Sequence, residues 1–207
     1  MKQLFLGVSI ILSLATYAQK DELKTLKKIY EKEQITEEEL KTYKEASDKL
    51  SSVASSESDK VYAKFYKTIF PALEFASKGE NQSDSDKTKF FNPDFLAAYG
   101  SILDNTLEFE KKSGKKILTD YIIKEKAEFR DFLYASGSKL FDDKKYREAS
   151  LMFHNLYVFD PKHEGLALEN SAQLAVQAQD YLLAEKFYED LRDSDYHKTE
   201  LIIMPLM

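Results

Sequence analysis

Two stretches carry the same pattern 35 residues apart: Lys145-Tyr146-Arg147-Glu148-Ala149 and Asp180-Tyr181-Leu182-Leu183-Ala184. In each, a Tyr is followed three residues later by Ala. Each Ala is followed four residues later by an aromatic, Phe153 or Tyr188, and each aromatic three later by Leu156 or Leu191. Intervals of three and four put these side chains on one face of a helix. Recurrence at this period predicts repeated supersecondary units. The residue types fit that expectation. Two antiparallel helices approach closely only where a small residue lets them, and Ala149 and Ala184 supply it on the second helix of each pair. Gly137 and Ala172 supply it on the first, and the aromatics one turn away fill the adjoining space. Asp160-Pro161 ends the second helix of the first pair, because proline cannot continue it.

The rest of the composition agrees with an all-α chain. Among 207 residues there are 6 Gly and 4 Pro, too few for the frequent turns of an all-β fold. The apolar fraction of 43% is enough for a packed core. The net charge of −6 and the absence of a basic face make nucleic acid a poor partner. The sequence has no cysteine, which removes disulfides, thiolate metal sites, a Cys nucleophile and a cysteine-linked lipid anchor from the expectations.

Outward from the repeat, the chain divides into segments. Residues 1–18 have the layout of a secretory signal peptide: Lys2, an apolar run from Leu4 to Ala15, and small residues at Thr16 and Ala18 before Gln19. The run is shorter than the ~20 residues of a bilayer span. The expectation is an exported protein, periplasmic or extracellular in a Gram-negative-type bacterium, with no membrane span in the mature chain. Residues 19–76 form an N-terminal helical region. Leu23, Leu26, Ile29 and Tyr30 recur at helical spacing. Thr36 and Glu39 form a capping box before the stripe Leu40, Tyr43, Ala46 and Leu50. Ser51 to Ser58 is a polar break, with Ser58 as N-cap of a third helix carrying Val61, Phe65, Ile69 and Leu73. Residues 77–91 are expected to be a polar linker.

Residues 92–129 form a second helical region. Asn92-Pro93-Asp94 starts a helix with a cap, a proline that needs no N–H and a carboxylate at the positive end of the dipole. Lys111-Lys112-Ser113-Gly114 closes it. A further helical stretch begins near Thr119 and is expected to extend, continuous, bent or broken, towards Phe141. Residues 130–196 hold the two repeats, and 197–207 are an apolar tail, Leu201-Ile202-Ile203-Met204-Pro205-Leu206-Met207. It is expected either to pack as a closing element or to lead into further chain.

The repeated part resembles the tetratricopeptide repeat (TPR) family. The family pattern falls on Leu133, Gly137, Leu140, Tyr146, Ala149, Phe153 and Pro161, then on Leu168, Ala172, Ala175, Tyr181, Ala184, Tyr188 and Leu191. The second unit lacks the closing proline, with Tyr196 in its place. The resemblance implies antiparallel helix pairs stacked as a TPR-like α-solenoid, with a concave face lined by the first helix of each pair. It implies groove residues Tyr134, Ser138, Phe141 and Asp142, then Glu169, Gln173, Val176 and Gln177. This set lacks the Lys and Asn residues with which chaperone-binding members grip a terminal carboxylate. The implied function is a scaffold for protein–protein interaction, with a protein or peptide as partner.

No catalytic motif emerges. His154, His163 and His197 have no neighbours at zinc-site spacing, and they read as solvated or edge residues. Asp84-Ser85-Asp86 does not complete a calcium loop. There is no nucleophile elbow, phosphate loop or dinucleotide fingerprint. The expectation is therefore no catalysis, no metal and no cofactor. Two alternatives stand beside the scaffold: a carbohydrate- or nutrient-uptake binding component of the outer-membrane type, and the regulatory helical part of a longer enzyme.

Overall fold

The computed structural model describes residues 19–194 and 196. The signal-like segment 1–18, His197 and the apolar tail 197–207 lie outside the described residues. The described residues are helical, with no strand among them. They divide into two compact units. One holds the residues up to Phe90 together with Ile102–Tyr121, and the other holds Phe91–Ser101 together with the residues from Ile122 onward.

The first unit contains α1 (residues 19–30), α2 (Glu37–Val53), α3 (Glu57–Ser77) and α4 (Asp84–Phe90). It also takes the later part of α5 (Pro93–Ser113). Local chemistry sets the helix starts. Thr36 Oγ1 accepts from Glu39 N at 3.2 Å while the Glu39 carboxylate accepts from Thr36 N at 3.0 Å, a complete capping box. The cap of α3 is Ser56 rather than the expected Ser58. Asp59 reaches back to it from three residues on, and the same reciprocal pair forms. The core is aromatic. Tyr30 meets Phe65 edge-on at 5.4 Å, and the Tyr43 hydroxyl donates to the Tyr66 carbonyl at 2.9 Å. Leu26, Leu50 and Ile69 are fully buried beside them.

The stretch expected to be a linker is folded. Gly79–Asn81 make a 3-10 turn, and α4 starts at a reciprocal Ser83–Asp86 cap that Lys78 reinforces at 2.6 Å. Phe90 then stacks on Phe75, ring centroids 3.9 Å apart. A polar composition hid these caps, because the residues that cap helices are also those of loops.

Asn92 starts α5 as expected, accepting from Asp94 N at 2.8 Å, and Gly114 (φ +69°) follows its end. Within the first unit the following turn is fixed by Glu110. Its fully buried carboxylate accepts from the backbone N–H groups of Ile117, Leu118 and Thr119 and from the hydroxyls of Thr119 and Tyr62. Burial pushes the Glu110 pKa up. The hydrogen bonds from Thr119, Leu118, Tyr62 and Ile117 outweigh burial and hold it below the ordinary carboxylate range.

The next helix, α6 (Thr119–Asp142), runs unbroken past Arg130, so the segment boundary expected there is not an element boundary. The second unit takes α6 from Ile122 on, with α7 (Tyr146–Phe159), α8 (Gly165–Gln177) and α9 (Tyr181–Asp193). Helices α6 and α7 are antiparallel. Phe129 meets Phe159 at 4.6 Å, a Cβ on Gly137 would lie 3.1 Å from the Phe153 ring, and Phe141 meets Tyr146 at 5.8 Å. Helix α8 packs on α7 and on α9. Leu168, Ala172 and Ala175 close against Ala184, Phe187 and Leu191. Phe187 is the buried aromatic of α9, and its neighbour Tyr188, expected in that role, is half-buried. Ser150 on α7 donates to the Ser171 carbonyl on α8 at 2.7 Å.

The turns that join α6 to α7 and α8 to α9 are the same turn. Lys144 N donates to Phe141 O at 2.9 Å and Lys145 N to Leu140 O at 2.9 Å. Gln179 N donates to Val176 O at 2.9 Å and Asp180 N to Ala175 O at 3.0 Å. Lys144 and Gln179 both have φ 60°. This is the Schellman ending of a helix, built twice, 35 residues apart.

Candidate functional site

The eight residues expected to line a groove lie on α6 and α8. Helix α6 buries Ile122, Lys126, Leu133 and Gly137. Flanking that face are Ile123, Tyr134 and Phe141, exposed by 56%, 57% and 44%, at helical spacing along one stripe. Ser138 is half-buried between them and Asp142 is exposed. Tyr134 is not loose, since its ring stands edge-on to Phe153 at 5.8 Å. On α8, Gln173, Val176 and Gln177 are exposed. Glu169 is not. It is buried, and its carboxylate accepts from Gln173 Nε2 at 3.3 Å and from the Tyr196 hydroxyl at 3.3 Å. The chain leaving α9 brings Tyr196 back over Gly165, so Glu169 serves packing.

The exposed set offers two aromatic rings and an aliphatic side chain among amides and a carboxylate. That mix suits an apolar anchor with hydrogen bonds at its margin.

Sequence reading missed the most heavily charged cluster of this unit. Asp160 is fully buried at the end of α7. Lys126 Nζ and Arg130 Nη1 each lie 3.4 Å from its Oδ2, and His163 Nδ1 lies 2.8 Å from its Oδ1. Arg130 also reaches Glu164 at 3.7 Å, and burial raises the Glu164 pKa. The cluster ties α6 to the α7–α8 turn. Its visible trace in the sequence is the pair Lys126 and Arg130, one helical turn apart.

His154 also departs from expectation. It is buried, its ring stacked on Phe187 at 4.2 Å and Nε2 3.4 Å from Asp190 Oδ2. Burial draws its pKa below the ordinary histidine value, against the pull of Asp190. A second link, Arg147 Nε to Asp180 Oδ2 at 2.8 Å, joins the start of α7 to the N-cap of α9. Among the described residues, no group of three or more His, Asp or Glu is placed to hold a metal ion. No described helix is long and apolar enough to cross a membrane.

No family model matches the chain, and no curated protein and no solved structure matches it.

Proposed function

We propose that this chain is an exported interaction scaffold, periplasmic or extracellular, built on two TPR-type helix pairs, α6–α7 and α8–α9. A protein or peptide segment docks on the face formed by the first helix of each pair. One observation carries the proposal. Two helix pairs share one connecting turn, hydrogen bond for hydrogen bond, and the first helix of each pair leaves large apolar side chains open: Tyr134 and Phe141 on α6, Val176 on α8. Exposed rings held by packing are pre-ordered, so binding through them costs little side-chain entropy. The role is recognition, with no catalytic step.

The test is affinity capture from a bacterial envelope extract. The wild-type chain is compared with one in which Tyr134, Phe141 and Gln173 are all replaced by Ala. The expected result is a partner retained by the first and lost by the second at equal helicity. A partner retained equally by both overturns the assignment of this face.

A further inference from the structure

We infer that the first unit holds a small-molecule site for an organic acid of about ten non-hydrogen atoms with an apolar tail. A half-open cleft of about 250 Å³ is lined by Leu23, Lys24 and Lys27 of α1, Tyr62 and Tyr66 of α3, and Ile117. All six residues belong to the first unit. An apolar cavity of about 150 Å³ is enough to take up benzene. The present space therefore suits a ligand larger than a single ring, and its wall is almost wholly apolar.

Three donors border that apolar space. Tyr66 is only 1% exposed, yet no described residue shares a hydrogen bond with its hydroxyl. Its neighbours behave differently. The Tyr62 hydroxyl donates to Glu110 at 2.9 Å, and the Tyr43 hydroxyl donates to the Tyr66 carbonyl at 2.9 Å. The Tyr66 hydroxyl is not one of the enclosed polar atoms without a partner; it opens onto the cleft, where it is placed to donate to a bound acceptor. Lys24 is a solvent-exposed lysine at the rim and has no ion pair among the described residues. Lys27 lies 3.4 Å from Glu31 and 6.0 Å from the Tyr121 ring centre, so one of the two ammonium groups is offset and the other is not. An apolar space bordered by an uncompensated cation and an unused hydroxyl selects an amphiphile whose head is an anionic acceptor. A medium-chain carboxylate has that chemistry, with its tail among Leu23, Tyr62 and Ile117 and its head towards the lysines.

The inference does not depend on the proposed docking face, which lies in the other unit. The experiment is titration calorimetry on the whole chain with octanoate, octan-1-ol and octylammonium as probes. Octanoate is expected to bind saturably at millimolar concentration or below, octanol about tenfold more weakly, and octylammonium not at all. The Lys24→Gln, Lys27→Gln double variant should weaken octanoate about tenfold and leave octanol unchanged. Tyr66→Phe keeps the ring and should weaken octanoate several-fold. Circular dichroism melts of both variants establish that they fold. No saturable octanoate binding, octylammonium binding as tight as octanoate, or either folded variant binding octanoate as tightly as wild type overturns the site.

Discussion

Lys144 and Gln179, 35 residues apart, both adopt φ 60° and hold the same place in two identical helix ends. Left-handed backbone costs an L-residue about 1–2 kcal/mol, because Cβ crowds the following carbonyl. Glycine escapes that cost but loses about 0.5–1 kcal/mol through the greater freedom of its unfolded chain. The difference favours glycine at both positions. Lys144→Gly and Gln179→Gly should each stabilise the protein by about 0.5 kcal/mol, and their effects should add because the turns share no partner. Urea midpoints of the two single variants and the double variant check this. A fall in midpoint for both would mean that the side chains contribute more than the backbone loses.

Gly100 makes the opposite case. It is helical, so its backbone needs no glycine. Its role is the space it leaves for the Phe159 carbonyl, because an added Cβ would lie 1.8 Å from that oxygen. Backbone cannot swing aside as a side chain does. Gly100→Ala should cost about 3 kcal/mol through forced separation within the second unit. Gly137→Ala is the useful comparison. There the added Cβ meets only the Phe153 ring at 3.1 Å, and a small shift of the ring relieves it. Thermal melts should place Gly100→Ala well below Gly137→Ala. Equal melting points would contradict the argument.

Glu110 concentrates more hydrogen bonds on one buried group than any local motif supplies. Removing the carboxylate leaves the Ile117, Leu118 and Thr119 N–H groups and the Tyr62 hydroxyl without their acceptor. Each buried donor left so costs about 1–3 kcal/mol before water or rearrangement compensates. Glu110→Ala should therefore destabilise by at least about 3 kcal/mol. The pH dependence has a definite sign. The folded pKa is depressed, so the contribution is full above the unfolded glutamate value and is lost as pH falls through the folded one. Acid titration of stability should be steeper in wild type than in Glu110→Ala, and parallel curves would refute it.

What was legible in the sequence is what neighbours in sequence decide. Thr36 with Glu39, and Asn92 before Pro93, are complete statements of a helix start, and both stand as read. The small residues Gly137, Ala149, Ala172 and Ala184 mark close helix contacts because only small side chains fit there. The failures have equally physical causes. Ser58 is a cap residue by type, but the cap falls on Ser56 because Asp59, three residues after it, completes the box. Residues 77–91 looked like a linker because Ser83 and Asp86 are loop residues until they pair. The repeated turn carries no glycine at its left-handed position, so its ending gave no signal. Glu110 gathers Tyr62 and the 117–119 turn, and Asp160 gathers Lys126 and Arg130 from another helix, so no motif of adjacent residues announces either carboxylate as a hub. Of the groove residues, Glu169 was misplaced because Tyr196, 27 residues on, returns to cover it.

Glu125 gives the most selective prediction, because it moves stability in the direction opposite to Glu110. It lies on α6 in the second unit, where it accepts a hydrogen bond from the Tyr99 hydroxyl. Burial, with some repulsion from Glu128, pushes its pKa up to about 8 from an ordinary value of 4.5. The folded state therefore holds a proton that the unfolded chain has released. Between those two values the native state binds more protons, so stability falls as pH rises. The contribution is fully present below pH 4.5 and is lost as pH passes through about 8. Glu125→Gln keeps the shape and the acceptor oxygen but cannot ionise. Its melting temperature should match wild type near the acid end of the window and exceed it at the alkaline end. Each kcal/mol corresponds to roughly 2–4 °C for a chain of this size. Melts of both proteins at several pH values across the window decide the matter. A constant difference between them would show that Glu125 ionises normally in the folded protein and that its contact with Tyr99 does not depend on the bound proton.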